Sequence, residues 1–362
     1  VRRMWGWSLL EVLFAEIRYA LRNMRKNPGF AAMVVLTLTL AIGASTAVFT
    51  LVDSVLLKPL SFRESGQLVV AWEHVRFMGG DPVGPNPKHV EEWRKRTSAF
   101  TAFAAFLRWQ SAFVSGPDRP RLTGSVLCSP NLFDVLEAQP LLGRLFQPRD
   151  GVKGHDNVAV LSFSGWRTLF DSDPRVIGRA IRVDDNPVEI IGVLPPDFHF
   201  PAPNALRAFV QTQASAAAEE PLFMPAVMDY AGMEWAGNYG NWVTVGRLKP
   251  GASIREAESQ INGIQRQLAV ESMGIRPDQA ATAVTALLQP MQAAVSETSG
   301  PTLWFLMAAV LGLMLIACVN LANAQLGRAL ARGRDVALRT ALGAAKWRLL
   351  WNGLAESLVL SA

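Results

Sequence analysis

The residue types best suited to chemistry are a histidine and a carboxylate, His89 and Glu92, spaced as HxxE on a helix predicted over residues 89–96. Side chains three apart share a helix face and could ligate a metal. Two ligands alone make a poor metal site, so the ordinary expectation is a solvated helix face. The other histidines (His74, His155 and His199) are dispersed. H-E-x-x-H is absent, and so is G-x-x-x-x-G-K-[ST], the loop that cradles ATP phosphates. Ser162-Phe163-Ser164-Gly165 does not supply the Gly-x-Ser-x-Gly elbow of a serine hydrolase. Carboxylates are plentiful, but no pair stands out as acid and base. The chain is expected to bind, pack or move rather than catalyse, with no cofactor and no metal.

Composition points to a membrane. Half of the 362 residues are hydrophobic and only 18% are charged. The net charge of +5 is unevenly spread. Residues 1–29 hold Arg2, Arg3, Arg18, Arg22, Arg25 and Lys26 against Glu11 and Glu16. Residues 327–362 hold Arg328, Arg332, Arg334, Arg339, Lys346 and Arg348 against Asp335 and Glu356. The long middle is slightly acidic and has no basic cluster with interleaved aromatics, which argues against a nucleic-acid partner. Cys128 and Cys318 are far apart, and Cys318 sits in an apolar run, so no disulfide is expected.

Two runs are long enough to span. Residues 30–52 are 23 residues without a charge, about 34 Å of helix against a bilayer core of about 30 Å. Residues 303–326 form the second, with no charge between Glu297 and Arg328. The first begins too late and runs too long for a signal peptide. With the Lys/Arg excess marking the cytoplasmic side, both basic flanks lie inside and the middle outside. This orders the chain as a cytoplasmic segment (1–29), a first span region (30–57), an extracytoplasmic domain (58–300), a second span (301–326) and a cytoplasmic segment (327–353). Small residues four apart (Ala41/Ser45 and Gly43/Ala47 in the first span, Ala308/Gly312 in the second) would let helix backbones approach in lipid. Asn320 and Asn323 lie near the inner end of the second span, where they could hydrogen-bond a neighbouring helix or, as is rather expected, lie at headgroup level.

The inner flanks have their own patterns. Leu10, Phe14, Ile17, Leu21 and Met24 follow helical spacing with Arg18, Arg22 and Arg25 on another face, an amphipathic helix suited to the inner leaflet. Asn27-Pro28-Gly29 ends it. At the other end, residues 354–362 turn apolar and read as the start of a third, truncated span, so the chain is expected to be a fragment.

The middle reads as α+β. Strands are predicted over residues 69–72, 121–127, 158–161 and 242–248, and a hairpin across Asp184-Asp185-Asn186-Pro187. Helices are predicted over 89–96, from Ser129-Pro130-Asn131 to Leu136, around 166–170, and over 254–270 with Ser253 as cap and Glu256 three residues on. Residues 201–240, rich in Pro, Ala and Gly, read as an irregular insertion or loop.

Several stretches together resemble one family. IRYALRNMRKNPGFAAMVVLTLTLAIGASTAVFTLVDSVLLKPLSF (17–62), SPNLFDVLEAQPLLGRLFQP (129–148), VAVLSFSGWRTLFDSDPRVIGRAIRVDDNPVEIIGVLPPDFHFP (158–201), WVTVGRLKPGASIREAESQINGIQRQL (242–268) and RGRDVALRTALGAAKWRLL (332–350) resemble, in order, MacB/FtsX-type ABC transporter permeases. The likeness is strongest to the N-terminal part of the acidobacterial duplicated orphan permeases, ADOP. The resemblance implies an α-helical transmembrane protein of the bacterial inner membrane with a large α+β MacB-like periplasmic core domain between the first two of four spans. It also implies a non-enzymatic permease in export (efflux) or mechanotransmission, partnered by a cytoplasmic ABC ATPase and membrane lipids. In full-length form the unit would be a homodimer or an internal-repeat pseudo-dimer. Positions matching the inner coupling helix are Arg334, Asp335, Arg339, Leu342, Gly343, Ala344 and Trp347, which the resemblance assigns to ATPase contact. The same arginines would also bind anionic lipid by charge alone. A membrane-anchored sensor or binding protein without transport activity is the competing expectation.

Overall fold

The first apolar run folds as helix α1 (Pro28–Val52). Thr37, Thr46 and Thr50 turn their hydroxyls onto the carbonyls of Met33, Ile42 and Thr46, so that a polar atom in an apolar helix is satisfied within it. The computed structural model describes residues 28–53, 60–79, 81–115, 120–200, 222–230, 232–235, 239–240 and 242–331. The chain divides into two units, residues 1–57 with 301–362, and residues 58–300. Two helical stretches, Ala32–Val52 and Gly300–Asn323, are long and apolar enough to cross a membrane.

The second unit is built on an eleven-stranded sheet. Its strands are β1 (Leu68–Val75), β2 (Pro82–Val83), β3 (Phe100–Ser115), β4 (Pro120–Cys128), β5 (Leu142–Gly143), β6 (Val158–Leu161), β7 (Ala180–Val183), β8 (Asn186–Val193), β9 (Leu222–Pro225), β10 (Trp242–Leu248) and β11 (Val284–Pro290). The order is β11-β1-β10-β3-β4-β9-β6-β8-β5, with β2 on β1 and β7 on β3 and β8. Pairing is antiparallel except at β4/β9 and β6/β8. The helices are α2 (Pro87–Arg96), α3 (Leu132–Val135), α4 (Phe163–Phe170), α5 (Ile254–Glu271), α6 (Pro277–Ala283) and α7 (Met291–Ala331), the last with Pro301 inside it.

β1 is covered on both faces, which is why its sequence is a nearly unbroken apolar run. Leu68, Val70 and Trp72 join a core with α3 and the phenylalanines Phe106, Phe133, Phe146 and Phe223. Val69 and Ala71 face the opposite core, filled by Trp93 of α2, Phe100 and Phe103 of β3, and Ile261 and Leu268 of α5. A third core packs Trp166 and Phe170 of α4 on Ile190, Val188 and Leu161.

A bulge decides how β3 serves these cores. Arg247 pairs with Ala102 but Leu248 with Phe100, so Thr101 is an extra residue. That puts Phe100 and Phe103 in one core, with ring centroids 4.2 Å apart. The two rings cover Gly246. A Cβ there would lie 2.6 Å from one ring and 3.0 Å from the other, so only glycine fits.

Two expectations need correction. Residues 201–240 are not wholly irregular, because β9 lies within them, parallel to β4 and antiparallel to β6. His89 is not on a solvated face. It is fully buried, and Glu92 instead meets Lys95 and Arg96 at the surface.

Candidate functional site

The residues assigned to ATPase contact (Arg334, Asp335, Arg339, Leu342, Gly343, Ala344 and Trp347) lie outside the described residues. The small residues singled out in α1 and α7 are described. Ala41 is buried, and the Ser45 hydroxyl lies 3.8 Å from Met314 Sδ on α7. Gly43, Ala47, Ala308 and Gly312 are exposed, and a Cβ at Gly43 or Gly312 would meet open space. On α7 after Pro301, Leu303 and Ala317 are the buried ones among the described residues. Met33, Val34, Thr37 and Leu38 share a small cleft with Asn320 and Leu321.

The residues that follow α1 and those that begin α7 meet inside the second unit. The Leu60 N–H donates to Gln292 Oε1 at 3.0 Å. Trp72 Nε1 of β1 donates to Gln289 Oε1 at 3.3 Å, and Gln289 Nε2 donates to Glu297 Oε2 at 3.0 Å. The chain that follows α1 and the chain that begins α7 are thus tied to each other, and the latter to β1.

Arg247 on β10 is the second tie. Only 4% exposed, it donates from Nε to the Val135 carbonyl at 2.7 Å and from Nη2 to the Arg63 carbonyl at 3.1 Å. Its Nη1 lies 3.5 Å from Glu137 Oε1, and Arg63 Nε lies 3.8 Å from the other Glu137 oxygen. One guanidinium therefore joins the segment after α1, the end of α3 and the interior strand β10. The fork shape of arginine suits this, since separate N–H groups serve separate carbonyls.

Glu137 holds an unusual backbone position. The Ala138 N–H reaches Phe133 O and the Glu137 N–H reaches Asp134 O, the paired bonds of a Schellman cap. Glu137 itself has φ 53°, where glycine is the usual residue. A glutamate there costs about 1–2 kcal/mol of backbone strain and supplies the carboxylate that glycine lacks.

A buried polar cluster lies on the other face of β1. Glu73, Asn86, His89 and Gln265 are all fully buried. His89 Nδ1 is 2.7 Å from Glu73 Oε1, and Nε2 is 3.0 Å from the Trp235 carbonyl. Gln265 Nε2 donates to the same Glu73 oxygen, and the Asn86 N–H donates to the other at 3.2 Å. Asn86 Nδ2 donates to the carbonyls of Glu234 and Trp235, and Lys88 Nζ stands 4.6 Å over the Trp235 ring. The cluster joins β1, α2, α5 and residues 234–235. Sequence reasoning singled out His89 but paired it with the wrong carboxylate. Glu73 sits one residue past the strand predicted over 69–72, and nothing local marks it as buried.

Among the described residues no three His, Cys, Asp or Glu side chains gather as a metal site. The chemistry available is that of hydrogen-bonded anchoring, concentrated where the chain enters and leaves the sheet domain.

The sequence model of the MacB-like periplasmic core domain matches residues 31–264, well over half of the chain. No curated protein sequence matches. Among solved structures, the periplasmic region of MacB from Actinobacillus actinomycetemcomitans is similar, with 13% identity and a TM-score of 0.43, over 68% of this chain and 98% of that one. A domain of a putative permease protein from Porphyromonas gingivalis has 17% identity and a TM-score of 0.41, covering 64% and 92%. The extracellular domain of the noncanonic ABC-type transporter YknZ from Gram-positive bacteria has 13% identity and a TM-score of 0.40, covering 61% and 99%.

Proposed function

This chain belongs to the MacB-like periplasmic core domain family, found in ABC-type transporter permeases, and from that membership we propose that it is a permease subunit that couples a cytoplasmic ATPase to its extracytoplasmic domain. In this reading α1 and the apolar stretch of α7 cross the bacterial inner membrane, with residues 1–29 and 327–353 inside and residues 58–300 outside. The full-length protein is of the duplicated orphan type, four spans to a unit, working in export or mechanotransmission as a homodimer or pseudo-dimer.

The observation that carries the reading is the junction. A domain that must respond to movement of its spans needs both connecting chains fixed to its core. Here Leu60 is bonded to Gln292, and Arg63 is bonded to Arg247. A tethered binding domain needs no such bracing. Arg334, Asp335, Arg339, Leu342, Gly343, Ala344 and Trp347 then form the ATPase contact, with Arg339 pairing with acidic groups and Gly343 and Ala344 allowing close approach.

Copurification tests this. The protein carrying Arg339 is expected to retain an ABC ATPase in a mild-detergent pull-down, and Arg339→Glu is expected to lose it. If the pull-down is unchanged by Arg339→Glu, the contact assignment fails. If no ATPase copurifies with either form, a sensor or binding role replaces coupling.

A further inference from the structure

A cleft of about 340 Å³ opens in the second unit between α2, the start of β3, the turn into α3 and the residues after β9. That volume is at the lower end of small-ligand pockets and holds a molecule of about ten to twelve non-hydrogen atoms. Val90, Phe103, Pro130 and Met228 give it apolar walls.

Its polar groups are unevenly satisfied. Glu91 is held by Arg94 through two hydrogen bonds, 2.9 and 2.7 Å. That pair cancels its own charge. Asn131 spends its Nδ2 on the Phe103 carbonyl at 2.7 Å, and its Oδ1 has no partner among the described residues. The side chain of Asp134, an exposed residue, also has no hydrogen-bond or ion-pair partner among them. Partial shielding by the cleft raises its carboxyl from the ordinary value. The cleft thus offers one carboxylate with no protein partner, at its open side, and an open amide oxygen beside apolar walls. One carboxylate is too few for calcium, which takes six to eight oxygens. A hydrated inorganic cation would leave the apolar walls unused.

We propose that this cleft binds a small organic cation, a primary ammonium on a compact apolar or aromatic body, with the ammonium on Asp134 and Asn131 and the body against Phe103 and Met228. The assignment does not depend on ATPase coupling, since a chain that holds no ATPase can still bind at this cleft.

The test uses the whole chain in zwitterionic lipid nanodiscs, with empty nanodiscs subtracted. Tryptamine and tryptophol are near-isosteric, and only the first carries an ammonium. Titration calorimetry is expected to give tryptamine about fivefold tighter binding than tryptophol, the preference of one partly exposed ion pair. Asp134→Asn should erase that preference. Asp185→Asn, in the exposed turn of the β7–β8 hairpin, should leave it intact. Raising the salt should weaken tryptamine and not tryptophol. The proposal is overturned if the wild type shows no preference, or if the preference survives Asp134→Asn.

Discussion

His89 Nδ1 lies 2.7 Å from Glu73 Oε1, and neither side chain reaches solvent. The imidazole is held from its other side by the Trp235 carbonyl, and the carboxylate by Gln265 and Asn86. Removing one partner of a buried pair strands the other. Glu73→Ala is therefore expected to lower stability by about 3–5 kcal/mol. The double substitution Glu73→Leu/His89→Leu should cost less than the sum of the single changes, because it leaves no orphaned polar group at either position. Chemical denaturation of the solubilised chain measures both, and simple additivity would count against the coupling.

Arg247→Lys should act as a loss and not as a conservative change. A single ammonium cannot serve the Val135 and Arg63 carbonyls in the geometry the guanidinium uses. A loss of about 2–3 kcal/mol is expected, with faster hydrogen exchange at the end of α3. Exchange rates like those of the wild type would show the tie to be dispensable.

Gly246→Ala tests the β3 bulge. The added methyl must displace the Phe100 and Phe103 rings, which are held at 5% and 4% exposure. Overpacking of this kind costs about 1–3 kcal/mol. Phe100→Leu should relieve part of that cost when combined with Gly246→Ala, and an unaltered melting point for Gly246→Ala alone would contradict the packing.

Asp150 gives a pH-dependent contribution. Burial pushes its carboxyl up, but hydrogen bonds from Arg144 at 2.6 Å and from the Gln147 N–H at 2.8 Å prevail and hold it below the usual range. A carboxyl with a lowered folded pKa stabilises above its unfolded pKa, and the contribution is lost as pH falls through the folded value. Asp150→Asn should therefore be clearly destabilising at pH 7 and progressively less so as the pH falls below the usual carboxylate range. A destabilisation that does not change with pH would mean that the ion pair contributes nothing.

What the sequence revealed depended on how local the signal was. The first part of β1 was legible because burial on both faces writes an apolar run from Leu68 to Trp72. The β7–β8 hairpin was legible because Asp184 and Asp185 take φ values of 46° and 69°, a turn their short side chains tolerate. The start of α5 was legible because the Ser253 hydroxyl accepts from the Glu256 N–H. β3 was not. Phenylalanines at 100, 103 and 106 imitate helical spacing, and only pairing with β10 and β4, together with the bulge, makes a strand of them. β11 follows Ala-rich α6 directly and owes its form to pairing with β1. His89 shows the same limit in a side chain. Helical spacing says which residues share a face, but the partners that bury that face, Glu73 and Gln265, come from elsewhere in the chain. Arg247 was missed for that reason too, since each of its contacts is remote in sequence.

α3 is only four residues long, yet it belongs to two places at once. Asp134 looks into the cleft, and the next residue, Val135, gives its carbonyl to Arg247. An occupant gripping Asp134 and a tension applied through Arg63 would compete for, or agree on, the position of the same helical turn. Thermodynamic reciprocity then binds the two: whatever factor a junction movement imposes on cleft affinity, occupancy of the cleft must impose on that movement. A helical turn so short has little room to yield within itself, so a displacement at Asp134 reaches the Val135 carbonyl across a single peptide bond.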